Sequence, residues 1–112
     1  MQIRRRRDKM TFGQVIASAR KKAYLSQKEL ASKIKKEDGQ PISPQYLNDI
    51  EHDKRNPPSP FFIDQLAEAL QVAPEYLYYL ANELTSDIRD TGADPEKVVA
   101  AYNAFRKVIR DS

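Results

Sequence analysis

Apolar residues recur at intervals of three and four along most of the chain, and short polar stretches interrupt the repeat. Phe12, Val15, Ile16, Ala19 and Ala23 trace one stripe and predict a first helix of about three turns. Leu30, Ala31 and Ile34 predict a short second helix ending near Lys35. Phe62, Ile63, Leu66, Ala67 and Leu70 mark a fourth, and Val98, Tyr102, Phe105 and Ile109 a last one. The third helix, from Pro44, is different. Tyr46, Leu47 and Ile50 fall on one side of it, while Gln45, Asn48, Asp49 and His52 share an arc of about 100° on the other. A helix that only completed a core would carry a wider apolar stripe, so this one presents its polar arc outward. The fifth helix has the opposite character: Tyr76, Leu77, Tyr78, Tyr79, Leu80 and Leu84 cover too many sides for one contact face, which implies a second partner surface.

The starts of these helices are written in the chain. Thr11 with Gln14 and Ser26 with Glu29 fit capping boxes. Ser43-Pro44, Ser59-Pro60 and Asp94-Pro95 place an N-cap before an N1 proline, and Pro74 repeats the proline. Lys36 to Pro41 reads as a polar turn, residues 85–93 read as a linker, and no stretch alternates as a strand would. The expected fold is all-α, with a basic arm over 1–10, a five-helix domain over 11–84, and a linker with an amphipathic helix over 85–112.

Charge changes this picture. Residues 1–36 hold 12 basic side chains and 2 acidic ones, a surplus of +10, whereas the remainder carries −7, within a chain of 112 residues whose net charge is +3. So sharp a division in one small domain points to a face built for a polyanion. There is no cysteine, hence no disulfide and no thiolate site, and the lone histidine has no partner with which to hold a metal or act as a catalytic base. No glycine-rich phosphate loop and no nucleophile-base pair is visible, so neither an enzyme nor a cofactor or small-molecule site is expected. MQIRRRRDKM is not followed by the apolar stretch of a signal peptide, and nothing approaches the roughly 18 apolar residues of a membrane span. A cytoplasmic protein without a membrane partner is expected.

Amides and a carboxylate at the spacing of Gln45, Asn48 and Asp49 suit readout in a DNA major groove, where Gln or Asn pairs with adenine and Asp accepts from the cytosine amino group. Lys54, Arg55 and Asn56 follow where a phosphate backbone would pass, and Gln27 and Lys28 stand at the start of the second helix, whose free N–H groups favour a phosphate. Ser43 and Tyr46 join this phosphate-side set. Arg4, Arg5, Arg6 and Arg7 read equally as an arm for the minor groove or backbone and as a solubilising tail.

The stretches ARKKAYLSQKELASKI, SPQYLNDIEHDKRNPPS and FIDQLAEALQVAPEYLYYL resemble the Cro/phage-repressor type of helix-turn-helix regulator, the xenobiotic-response-element-like family, over about residues 11–84. The resemblance implies a lambda-repressor-like fold and a dimeric repressor on a palindromic double-stranded operator. It implies phosphate contact by Gln27, base contact by Gln45 and Asp49, and backbone contact by His52, Lys54, Arg55 and Asn56. It also implies a structural ion pair between Arg20 and Glu51. Three departures stand out. Pro44 occupies a position where many relatives carry a base-reading amide, Tyr24 and Asp53 replace the usual glycines after helices one and three, and the turn from Lys36 to Ile42 is longer than usual, with contact to DNA or exposure to solvent both open. Tyr76, Tyr78, Tyr79, Tyr102, Phe105 and Ile109 are the candidates for a homodimer surface, although the last helix could also fold back on its own domain. A second class stays open beside DNA binding: an antitoxin-like or other interaction module that binds a partner protein through its C-terminal region.

Overall fold

The computed structural model describes residues 10–111, and the Arg4 to Arg7 arm lies outside the described residues. Among the described residues seven helices follow one another: α1 (Phe12–Lys22), α2 (Gln27–Lys33), α3 (Pro44–Glu51), α4 (Pro60–Leu70), α5 (Pro74–Leu80), α6 (Ser86–Arg89) and α7 (Pro95–Arg110). Most caps are as the sequence reads. Thr11 and Ser26 close reciprocal capping boxes, and the side chains of Ser43 and Asp94 accept from the third helical N–H of α3 and α7. Ser59 makes no such bond, and α5 begins after Ala73 with only its N1 proline to set the first turn. The one-turn α6 sits inside the stretch expected to be a linker.

The core is made by Ile16, Leu30, Ile34, Leu47, Ile63, Leu66 and Leu77, all fully buried, with Phe12, Val15, Ile42, Ile50, Leu70 and Tyr78 around them. α3 packs against both α1 and α2, and α4 closes the far side of α1 and α2 and carries α5. Ala23, expected on the inward stripe, is exposed as the C-cap of α1.

Two contacts fix α1 against the end of α3. Gly13 lies so close that a Cβ there would stand 2.2 Å from the Ile50 carbonyl oxygen and 2.7 Å from that of Glu51. Asp53, at φ 56°, accepts from the Gly13 N–H at 3.0 Å and from the Thr11 hydroxyl. The carboxylate therefore satisfies donors at the start of α1, which accounts for an aspartate where a glycine would be conformationally easier. Tyr24, at φ 60°, has no such compensation and is 93% exposed.

The long turn after α2 is an ordered hairpin. Lys35 bridges Pro41, the Lys36 N–H donates to Gln40 O at 2.7 Å, and Gln65 of α4 holds the Lys35 N–H and carbonyl through its own side-chain amide.

α7 stands apart from this core. It buries no residue, and Val98, Tyr102, Phe105 and Ile109 are all exposed, with the Phe105 ring meeting Tyr79 of α5 at 6.3 Å. Tyr78, placed by sequence on the candidate dimer surface, is a correction: it is 3% exposed, packed in the core, and its hydroxyl donates to Asp64 at 2.7 Å. No helix among the described residues is long and apolar enough to cross a membrane.

Candidate nucleic-acid interface

The polar arc of α3 is held from behind by a network that joins three helices. Arg20 of α1 donates from Nε to Glu51 Oε2 at 2.6 Å and from Nη2 to Oε1 at 3.0 Å, and its Nη1 reaches the Leu25 carbonyl at 2.9 Å. The two side chains are 12% and 2% exposed. Hydrogen bonding to Glu51, which outweighs the effect of burial, raises the pKa of Arg20 further above its ordinary value. Glu51 also accepts from Gln27 Nε2 at 2.9 Å, and the same nitrogen donates to Asn48 Oδ1 at 3.1 Å. Among the described residues no buried side-chain polar atom lacks a partner.

This arrangement changes how Gln27 is read. A carboxylate only accepts, so the amide nitrogen of Gln27 must face Glu51, and both of its hydrogens are used inside the protein. The Gln27 side chain is thus turned inward, and what it leaves to an anion is its backbone N–H. Asn48, with Oδ1 toward Gln27, has its Nδ2 unpaired among the described residues and able to donate.

Gln45 and Asp49 are one turn apart on the outer face, and Gln45 Nε2 donates to Asp49 Oδ1 at 3.0 Å. One amide hydrogen and the amide oxygen of Gln45 remain, the pair needed to meet an adenine edge. Ser43 accepts from Tyr46 N–H at 3.0 Å and retains its own hydroxyl proton. Tyr46 is half-buried against Phe62, with ring centroids 6.0 Å apart. His52 Nδ1 lies 2.9 Å from the Asn48 carbonyl, which can only accept, so Nδ1 carries a proton and Nε2 points elsewhere. Lys28, Lys54, Arg55 and Asn56 are exposed. The arc, the residues after it and the start of α2 together form a surface of donors and acceptors on a rigid three-helix frame.

The sequence stripe missed Gly13 and Asp53. A glycine near a helix start and an aspartate past a helix end carry no periodic signal, and only their approach across the chain reveals that they set the angle between α1 and α3.

Comparison with known proteins agrees with this frame. The helix-turn-helix family model matches residues 16–77. A solved structure of a SinR protein/SinI protein complex is similar at 26% identity, covering 88% of this chain and 99% of the matched chain with a TM-score of 0.51. No curated protein matches the chain.

Proposed function

From the premise that the chain belongs to the Cro/C1-type helix-turn-helix family of DNA-binding transcriptional regulators, we propose that it is a dimeric repressor that reads a palindromic operator with α3. Gln45, Asn48 and Asp49 contact base edges in the major groove. Lys28, Ser43, Tyr46, His52, Lys54 and Asn56, with the backbone N–H of Gln27, fix the register on phosphates. The observation that carries the reading is the contrast within α3: its inner side is locked by Glu51 and Leu47, while its outer side carries pre-arranged amide and carboxylate groups, with Gln45 bonded to Asp49 and Asp49 paired with Arg55. Two such helices related by a two-fold axis would meet half-sites about one helical turn apart, roughly 34 Å.

The second copy is held through α7 and the outer face of α5. Support comes from the exposed apolar stripe Val98, Tyr102, Phe105 and Ile109, which continues through the Tyr79–Phe105 contact onto the DNA-binding domain. The similar solved structure is a complex of a SinR protein with a SinI protein, so a different protein on this same surface is the second reading.

The test of base reading is Gln45→Ala on a panel of duplexes that differ at single positions. The proposal expects discrimination to fall by about 1–3 kcal/mol at one base pair and nowhere else. Equal weakening on every duplex would show that Gln45 reads no base. For assembly, sedimentation of the wild-type chain and of Phe105→Asp should give a dimer and a monomer; a wild-type monomer at all concentrations would remove the homodimer and favour a different partner.

A further inference from the structure

Arg55 follows the end of α3, and sequence position alone assigns it to a phosphate. Its side chain instead runs back along the helix. Its Nε lies 3.4 Å from Asp49 Oδ2, and its guanidinium carbon is 4.8 Å from the centre of the Tyr46 ring. That ring is in turn seated against Phe62. The guanidinium is therefore beside the first two turns of α3, between Tyr46 and the Asp49 edge of the polar arc.

What remains of Arg55 is as informative as what is held. Nε faces Asp49, and the Nη1/Nη2 edge makes no hydrogen bond among the described residues. Two parallel N–H groups on a flat fork match the O6 and N7 acceptors of guanine. The same fork can also grip a phosphate, so what favours a base is its place beside Asp49, next to Gln45. Stacking on Tyr46 and pairing with a carboxylate limit the rotamers of a long side chain before any ligand arrives, which lowers the entropy lost on binding. The pairing also offsets the charge of Asp49, which alone on this face would repel a polyanion.

The geometry points to Arg55 as a base-reading residue that delivers its fork to a guanine neighbouring the base pair met by Gln45. Besides its own base contact, Asp49 holds both side chains in place, Gln45 through Oδ1 and Arg55 through Oδ2. This rests on the reading of α3 as the helix that enters the major groove. The experiment is selection of duplexes from a random library by the full chain, as wild type, Arg55→Lys and Arg55→Ala, with affinities for one selected and one unrelated duplex measured across salt.

The wild type should select a motif with one invariant guanine. Arg55→Lys keeps the charge and should stay within about twofold of wild type on unrelated DNA, while its preference for that guanine falls roughly tenfold or more. That retained binding also reports a folded chain, as expected for a side chain that is 52% exposed. Arg55→Ala should lose the same preference. An Arg55→Ala variant whose preferences match wild type at every position would make Arg55 a backbone contact and overturn the assignment. A wild-type chain that selects no motif would overturn the reading of α3 itself, and this inference with it.

Discussion

Replacing Glu51 by alanine is the perturbation that the frame behind α3 should tolerate least. The carboxylate accepts from Arg20 Nε, Arg20 Nη2 and Gln27 Nε2, and its side chain is 2% exposed. Without it Arg20 remains an almost buried cation with the Leu25 carbonyl as its one acceptor, and Gln27 loses the group that orients its amide. Breaking a buried pair from one side costs about 3–5 kcal/mol, because a charge is left desolvated and unpaired. Against a total stability of about 5–15 kcal/mol this is a large share. Each kcal/mol lowers the Tm of a small domain by about 4–8 °C, so a fall of more than about 12 °C is expected. The assay is urea and thermal unfolding of wild type, Glu51→Ala and the double variant Arg20→Leu/Glu51→Ala. Removing the stranded cation should recover part of the loss, since apolar replacement of a whole pair is often close to neutral. A Glu51→Ala variant within about 1 kcal/mol of wild type, or a double variant no more stable than the single one, would refute the view that this pair sets the helix geometry.

Three further substitutions address separate features. Gly13→Ala should destabilise by about 1–3 kcal/mol or more despite the better helix propensity of alanine, because the clashing atoms at Ile50 and Glu51 are backbone; an unchanged unfolding midpoint would mean that α1 and α3 slide freely. Tyr24→Gly should stabilise by up to about 1 kcal/mol, since a left-handed non-glycine residue costs about 1–2 kcal/mol and the entropy of the added glycine returns part of it; a lowered Tm would assign the exposed ring a contact. Tyr78 has its pKa pushed up from 10 to about 12, first by burial and then by its hydrogen bond to Asp64. Its folded-state value lies above the unfolded one, so its contribution to stability is whole below about pH 10 and is lost as the pH rises toward about 12. Ultraviolet titration should show one tyrosine ionising late, and Tyr78→Phe should abolish that step.

Much of the fold is legible in the chain because its helices are announced twice, by an apolar stripe and by a capping or proline start. The division of α3 into Leu47 and Ile50 inside and Gln45 and Asp49 outside follows from periodicity alone. What periodicity cannot carry is a relation between distant residues. The inward turn of Gln27, the seat of Asp53 on Gly13 and the return of Arg55 along α3 are settled by which donors and acceptors meet after folding. Tyr78 shows the limit from the other side: three tyrosines in four positions imply that some face outward, and only the packing of α5 on α4 selects which. The turn from Lys36 to Ile42 reads as a polar loop because its order comes from Gln65, thirty residues away from Lys35.

Everything proposed here rests on α3 reading a DNA sequence from a rigid frame. Selection of duplexes from a random library by the wild-type chain, at two salt concentrations, tests it most directly. A two-fold symmetric motif should survive the higher salt, with overall affinity falling as phosphate contacts are screened. Binding that enriches no sequence and vanishes as salt rises would contradict it, because the basic half of the chain would then supply only non-specific attraction.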